Sequence, residues 1–315
     1  AELHGRILPL YGNRHRILFS SGKIPSCGYK TFKVGRGDKI RPMNAEWRDN
    51  QAQTSSIGKN PNTLENEFYR VWMNPNGSFN CLDKETGKTY YQLNYYEDRG
   101  EHGTYWINWR PMNQKSYHSL GSNSKIWMEE NGPLRGTLVS EMEMMIPEKG
   151  DKGKQQRGDN ELPFKIKTSV TLNKNIKKIS VKVELENHHE DHYLKVLFPT
   201  YIENPETAES GGHFIVDSRP IQPQGPTENS SWHDMSTLPQ DRFIDVSNGS
   251  QGFAIVHNCL TEYEILRDQE STLAVSLLRA VKNWIVTGHV GSDFPSQKGG
   301  QLKGAHQYEY ALIPH

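Results

Sequence analysis

The sequence predicts an all-β protein, a large antiparallel sandwich of many strands. Phe164, Ile166 and Thr168 alternate with Lys165, Lys167 and Ser169, and after an Asn173-Lys174-Asn175 turn Ile179, Val181, Val183 and Leu185 alternate with Ser180, Lys182, Glu184 and Glu186. A period of two carried through consecutive runs gives each strand one dry and one wet face, as in an antiparallel sandwich. Turn formers recur along the chain, with 27 Gly and 17 Pro, and aromatic residues make up 10%. That is the profile of short strands joined by turns. No stretch of helical length carries a convincing amphipathic period, and 315 residues are enough to bury a sizeable core.

Taken in order, the chain opens with two strand candidates, Arg16 to Phe19 and Tyr29 to Val34, separated by Ser20-Ser21-Gly22-Lys23-Ile24-Pro25. Two strands cannot close a sandwich, so residues 1–60 read as a partial small β module and linker that must pair with something outside it. From Gly35 to Asn62 the chain is polar and aperiodic, as a mobile linker or insertion is. Residues 61–315 read as the main sandwich domain. Its first part is a meander: Phe68 to Trp72, the turn Asn74-Pro75-Asn76-Gly77, Ser78 to Leu82, the turn Asp83 to Lys88, then Tyr90 to Tyr96. The segment from Glu97 to Pro111 is charged, then densely aromatic. Aromatic planes beside fixed charges are a common way of holding sugars, so this is a candidate binding segment.

Leu134 to Met145 is a further strand, Ile146 to Pro163 a solvated loop by composition, and Tyr193 to Thr200 continues the alternating pair. Later strands are expected at Gly212 to Val216, Phe243 to Val246, Gly252 to His257, Tyr263 to Leu266, Thr272 to Leu278 and His306 to Leu312. Lys plus Arg and Asp plus Glu are both 37, which gives no electrostatic case for nucleic acid or an anionic membrane as partner. No apolar run reaches the roughly 20 residues of a membrane-crossing helix. Cys27, Cys81 and Cys259 are an odd count without CxxC spacing, so they read as buried or inert thiols rather than metal ligands or a disulfide framework.

Several segments together resemble one family. ENEFYRVWMNPNGSFNCLDKETGK, the run Asn94 to Gly100, VKVELENHHEDHYLKVLFPT, VDSRPI, GFAIVHN, LLRAV and GAHQYEYALIPH are similar to the C-terminal β region of family 38 glycoside hydrolases, the α-mannosidases, and Ile24 to Lys30 resembles the end of the smaller β module before it. The resemblance implies a galactose-mutarotase-like supersandwich packed against a catalytic barrel. It also implies a retaining mechanism with a carboxylate nucleophile, a carboxylic acid/base and a zinc ion, all held by that barrel, N-terminal to this region. Nothing in these residues matches the barrel, so the chain is expected to be the separated C-terminal piece of such an enzyme and to hydrolyse nothing alone. The expected partners are that barrel and a mannose-containing glycan or mannoside.

The family's β region lends its active site a tyrosine. The matching position here is Tyr105, in Gly103-Thr104-Tyr105-Trp106-Ile107-Asn108-Trp109-Arg110-Pro111, with Trp106 beside it; the alternative is that Tyr105 is one more strand aromatic. Arg219, in Asp217-Ser218-Arg219-Pro220, either points its guanidinium at a sugar or at the barrel, or makes an ordinary surface ion pair. His188-His189-Glu190-Asp191-His192 has metal-like composition, but neighbours on a turn rarely converge on one ion, so a solvated hairpin tip is expected. Glu97, Asp98 and Glu101 offer an acid and base pair, which glycosidases need roughly 5 to 9 Å apart; charged runs in loops are ordinarily just solvated. Two rival functions stand beside the main reading. One is a free-standing carbohydrate-binding or structural module, and the other a catalytic supersandwich with a His or Tyr base of its own.

Overall fold

The computed structural model describes residues 17–33, 56–105, 108, 110–113, 115–221, 237–281 and 298–315. Two compact units are present, Ala1–Arg48 and Asp49–His315. In the first, residues 17–33 hold a turn at Ser26 and Cys27 and no strand, although strands were expected at both ends of that stretch. Ile17, Leu18, Phe19, Tyr29 and Phe32 are exposed. Their spacing is strand-like, but a strand requires a hydrogen-bonded neighbour, and among the described residues no ladder includes them.

The second unit begins with β1 (Gly58–Asn60), β2 (Thr63–Glu65), β3 (Tyr69–Met73), β4 (Phe79–Asp83) and β5 (Thr89–Leu93), a five-stranded sheet in sequence order. Its turns follow from composition. Gly77 takes φ +85° and donates its N–H to the Asn74 carbonyl at 2.9 Å, while Asp83 accepts from the Glu85 N–H and the Thr86 hydroxyl. The expected run Tyr90 to Tyr96 breaks at Asn94. That residue is fully buried in left-handed backbone, φ +66°, and the chain passes there from β5 into another sheet as β6 (Tyr95–Gly100).

The chain then runs through β7 (Tyr117–His118), β8 (Ser124–Asn131) and β9 (Arg135–Pro147). A small hairpin of β10 (Gly150–Asp151) and β11 (Gln156–Arg157) leads to β12 (Glu161–Asn173), β13 (Ile179–Asn187) and β14 (His192–Phe198). After these come β15 (Thr207–Gly212), β16 (Ile215–Pro220), β17 (Leu238–Pro239), β18 (Phe243–Ser247), β19 (Gly252–Asn258), β20 (Glu262–Ile265), β21 (Leu273–Arg279) and β22 (Gly304–Pro314). They build a nine-stranded sheet ordered β16-β15-β18-β19-β22-β13-β12-β9-β8 and a six-stranded sheet ordered β17-β20-β21-β14-β6-β7. The ladders within both are antiparallel.

The alternating run is the spine of the larger sheet. β9 pairs with β12 from Pro147↔Glu161 to Arg135↔Asn173, and Phe164, Ile166, Val170 and Leu172 are buried with Ile179, Val181, Val183 and Leu185 of β13. On the smaller sheet Tyr96, Leu194, Val196 and Val275 belong to the same core. A polar knot lies inside it. Asn94 donates to the Tyr96 hydroxyl at 3.0 Å, Tyr96 and Thr168 share a hydrogen bond at 2.7 Å, and Tyr310 donates to the Asn94 carboxamide oxygen. The bonds join β6 of the smaller sheet to β12 and β22 of the larger, so each buried polar atom is matched as burial demands.

Two expectations need correction. The stretch 146–163 is not a loop throughout, because β9 extends to Pro147, β10 and β11 form a hairpin, and Arg157 is buried. The strand expected over Gly212 to Val216 is a hairpin apex: β15 ends at Gly212, Phe214 takes φ +63° and β16 starts at Ile215. Of the thiols, Cys27 and Cys259 are exposed and Cys81 is buried, and all three are free.

One buried histidine gives the fold a pH dependence. His257 donates from Nε2 to Gln240 Oε1 at 2.6 Å and accepts at Nδ1 from the Leu260 N–H at 3.2 Å, so its neutral form is satisfied on both sides. Burial pushes its pKa down from 6.5 to about 4. As pH falls through that interval the unfolded chain takes up a proton that the native chain refuses. The contribution is complete above 6.5 and is lost on the way to about 4, with a slope of up to about 1.4 kcal/mol per pH unit. Urea denaturation midpoints across that range should fall in the wild type and fall less in His257→Gln.

Candidate functional site

Pairing in the smaller sheet brings charge onto one face. Tyr193 stands opposite Arg99 and Arg279, Lys195 opposite Glu97 and Ser276, and Ala274 opposite Glu264. With side chains alternating across a strand, Tyr193, Lys195, Arg99, Ser276 and Glu264 share the face away from the Tyr96 and Val196 core. They are nonetheless buried. The Tyr193 ring has the Arg99 guanidinium 4.7 Å and the Lys195 ammonium 4.8 Å from its centroid, and its hydroxyl donates to Glu262 Oε2 at 3.1 Å. Lys195 Nζ lies 2.7 Å from Glu264 Oε1. Burial and the neighbouring Arg99 push the Lys195 pKa down, with Glu264 opposing them.

A second set of charges sits at the edge where β6, β11 and β14 meet. Asp98 is fully buried; its Oδ1 accepts from Arg157 Nη1 at 2.7 Å and its Oδ2 lies 2.6 Å from His192 Nδ1. Burial raises the cost of its charge, but Arg157 and His192 outweigh that and hold its pKa below the usual carboxylate range. His192 Nε2 lies 3.1 Å from Asn187 Oδ1, and the Asn187 amide donates to the carbonyls of Gln301 and Leu302. His189 is buried with Nδ1 against the Pro147 carbonyl, and Asp191 is buried against the Gln301 amide. The pentad His188–His192 is therefore not a solvated tip: only His188 of its histidines is exposed, because the chain turns inward to start β14. Asp98 and Glu101, expected in solvated chain, are likewise buried and engaged by cations.

Glu101 positions the predicted tyrosine. Its Oε1 accepts from the Gly103 N–H at 2.7 Å, and its Oε2 accepts from Arg279 Nε at 3.1 Å. Arg279 continues to the carbonyls of Thr104 at 2.7 Å and Tyr105 at 3.4 Å. Tyr105 is 36% exposed, with its phenol over Gly300, where an added Cβ would lie 2.0 Å from the hydroxyl oxygen. One arginine at the end of β21 thus holds the Glu101 carboxylate and two consecutive backbone carbonyls, and leaves an aromatic edge open. Trp106 lies outside the described residues. Arg219 is elsewhere: on β16, an edge strand of the larger sheet, it donates to Asp217 Oδ2 at 2.9 Å and to the Pro239 carbonyl at 2.8 Å.

Among the described residues no group of three or more His, Cys, Asp or Glu side chains is placed to hold a metal ion.

These features define a large antiparallel β-sandwich domain whose charged interior braces one aromatic-bearing edge. Residues 64–283 match the C-terminal domain of glycosyl hydrolases family 38, and the chain belongs to that family. Over an alignment 324 positions long that covers 98% of this chain, it is 28% identical to a protein of Halalkalibacterium halodurans named "Putative mannosylglycerate hydrolase", and covers 34% of that relative. An α-mannosidase from Enterococcus faecalis V583 superposes with a TM-score of 0.72 at 28% identity over 82% of this chain and 30% of that one. A second Enterococcus faecalis structure, a protein of glycosyl hydrolase family 38, gives 0.73 at 28% identity over 82% and 31%. The chain thus spans about a third of the length of the relatives it matches.

Two outcomes follow from this geometry. Asp98→Asn strips Arg157 and His192 of their buried counter-charge and should cost about 3 to 5 kcal/mol in chemical denaturation. Since the folded pKa of Asp98 is depressed, its contribution is present above the ordinary carboxylate value and lost as pH falls through the folded one, and the variant should lack that acid-side loss. Gly300→Ala should displace the Tyr105 phenol and speed amide exchange over 101–105 while β9 and β12 exchange as before.

Proposed function

We propose that this chain is the C-terminal β region of a retaining α-mannosidase-like glycosidase, residues 61–315 forming the sandwich that packs beside a catalytic barrel and residues 1–60 belonging to a smaller β module. The barrel carries the nucleophile, the acid/base and zinc. This region scaffolds it and contributes to the pocket for a mannoside or mannose-containing glycan. The names of the relatives, an α-mannosidase and a mannosylglycerate hydrolase, share a mannosyl group and support that substrate class.

The observation that carries the reading is the Arg279–Glu101 brace. Ordering a loop costs conformational entropy, and a brace of this kind lowers what remains to be lost when a sugar binds. Tyr105 then offers an aromatic edge and a hydroxyl able to donate to or accept from a sugar oxygen. Trp106 is the next aromatic along the chain. Arg219 is a weaker candidate, since Asp217 and the Pro239 carbonyl already share its guanidinium. In the complete enzyme Tyr105→Phe should lower kcat/KM on an α-mannoside by about tenfold, the worth of one hydrogen bond made in the transition state. Unchanged kinetics would remove Tyr105 from the pocket.

A further inference from the structure

β16 closes one side of the larger sheet, and among the described residues no strand pairs with its outer edge. Its exposed positions begin apolar. Phe214 at the hairpin apex is fully exposed, Ile215 is 61% and Val216 55% exposed, and Ser218 and Pro220 are exposed as well. Apolar side chains beside unpaired backbone groups are a template for a further strand.

The ladder determines which backbone groups point outward. Gly212 stands opposite Ile215 across a two-residue turn, and one step beyond the Thr207↔Pro220 pair the Ile221 N–H donates to the Glu206 carbonyl at 3.0 Å. Antiparallel pairs alternate between those that exchange hydrogen bonds and those that do not. Counting back from Ile221, Arg219 and Asp217 bond to β15, while Pro220, Ser218 and Val216 turn their backbone groups away from it. Two details agree with that count. The Gly211 carbonyl, opposite Val216, accepts from the Asp241 N–H at 2.8 Å on the far side of β15, and Pro220, which has no N–H, sits where none is asked of it.

We propose that this edge pairs with the same edge of a second copy of the chain, antiparallel about a two-fold axis at Ser218. Charges on an edge ordinarily repel a second strand, but here their order is self-complementary. A two-fold ladder must centre on a residue if outward backbone groups are to face outward groups, and the centre fixes every pair. Centred on Asp217 or on Arg219, that residue faces its own like charge. Centred on Ser218, Asp217 meets Arg219 of the copy and Arg219 meets its Asp217, while Val216 meets Pro220 and Ile215 meets Ile221. Ser218 exchanges N–H and carbonyl with its counterpart, and each Val216 N–H reaches a Pro220 carbonyl. The charged pairs then fall at positions without ladder hydrogen bonds, where Cα atoms approach to about 4.5 Å and side chains are closest. Asp217 Oδ2 and Arg219 Nη2 already lie 2.9 Å apart along the strand, so the copy adds a second opposite charge beside each. A short edge covers less than the roughly 1,200 Å² at the low end of specific, stable interfaces, so the association depends on concentration. The inference is independent of the sugar pocket at Tyr105.

The test is sedimentation velocity of the complete protein over a concentration series, which should show a reversible monomer–dimer equilibrium. Asp217→Arg and Arg219→Asp each set like charges opposite at both ends of the ladder, and each should weaken self-association at least about tenfold. Mixed in equal amounts, the two variants present cations on one copy to carboxylates on the other, and dimers should return. Ser218→Pro removes an outward N–H that β15 does not use, so it should give a monomer whose circular dichroism matches the wild type; it decides the matter if a charge variant does not fold. A wild type that is monomeric throughout, a dimer unweakened by these substitutions, or folded charge variants that do not associate on mixing would overturn the proposal.

Discussion

A buried carboxylate sets the terms for the rest of this domain. Asp98 lies on β6, which belongs to the smaller sheet, and its two oxygens reach Arg157 on β11 and His192 at the start of β14. Charges taken out of water are stable only when matched, so three separate elements have to arrive together. His192 then extends the chain of bonds through Asn187 to the backbone of Gln301 and Leu302, just before β22. One ion cluster thereby registers the smaller sheet, the β10–β11 hairpin and the larger sheet against each other.

The same economy appears in the face that carries Lys195 and Glu264. A strand with every residue buried, as β14 is, must spend some of its positions on polar groups if the layer outside it is not hydrocarbon. Here the layer is Tyr193 flanked by Arg99 and Lys195, with Glu262 and Glu264 opposite. The arrangement stiffens the sheet end from which Arg279 reaches over to hold the Thr104 and Tyr105 carbonyls. Rigidity in the sheet becomes position in the loop.

The sandwich was legible because its signal is local. Residues 164–186 alternate with period two whatever surrounds them, and the turns at Asn74–Gly77 and Asp83–Lys88 need only their own residues. The family was legible from the order of its segments. What composition concealed is partnership. Asp98, Glu101, Asp191 and His192 look like solvated charge because their partners are Arg157, Arg279 and Gln301, dozens of residues away. Arg157 carried no signal at all, sitting in a stretch of Lys, Gly, Gln and Asp. Lys195 did carry one, as a lone charge inside the apolar run YLKVLF. The propensity of the Tyr90 to Tyr96 run favours one continuous strand, and left-handed backbone at Gln92 and Asn94 overrides it.

The place of β22 governs the order in which this domain can be made. Gly304–Pro314 lies between β13 and β19 in the middle of the larger sheet, and the Pro314 carbonyl accepts from the Tyr69 hydroxyl at 3.0 Å, from a strand more than two hundred residues earlier. On the ribosome β13 therefore waits with an open edge until almost the last residue of this stretch has left the exit tunnel, and an edge left open that long is a template for pairing with another chain.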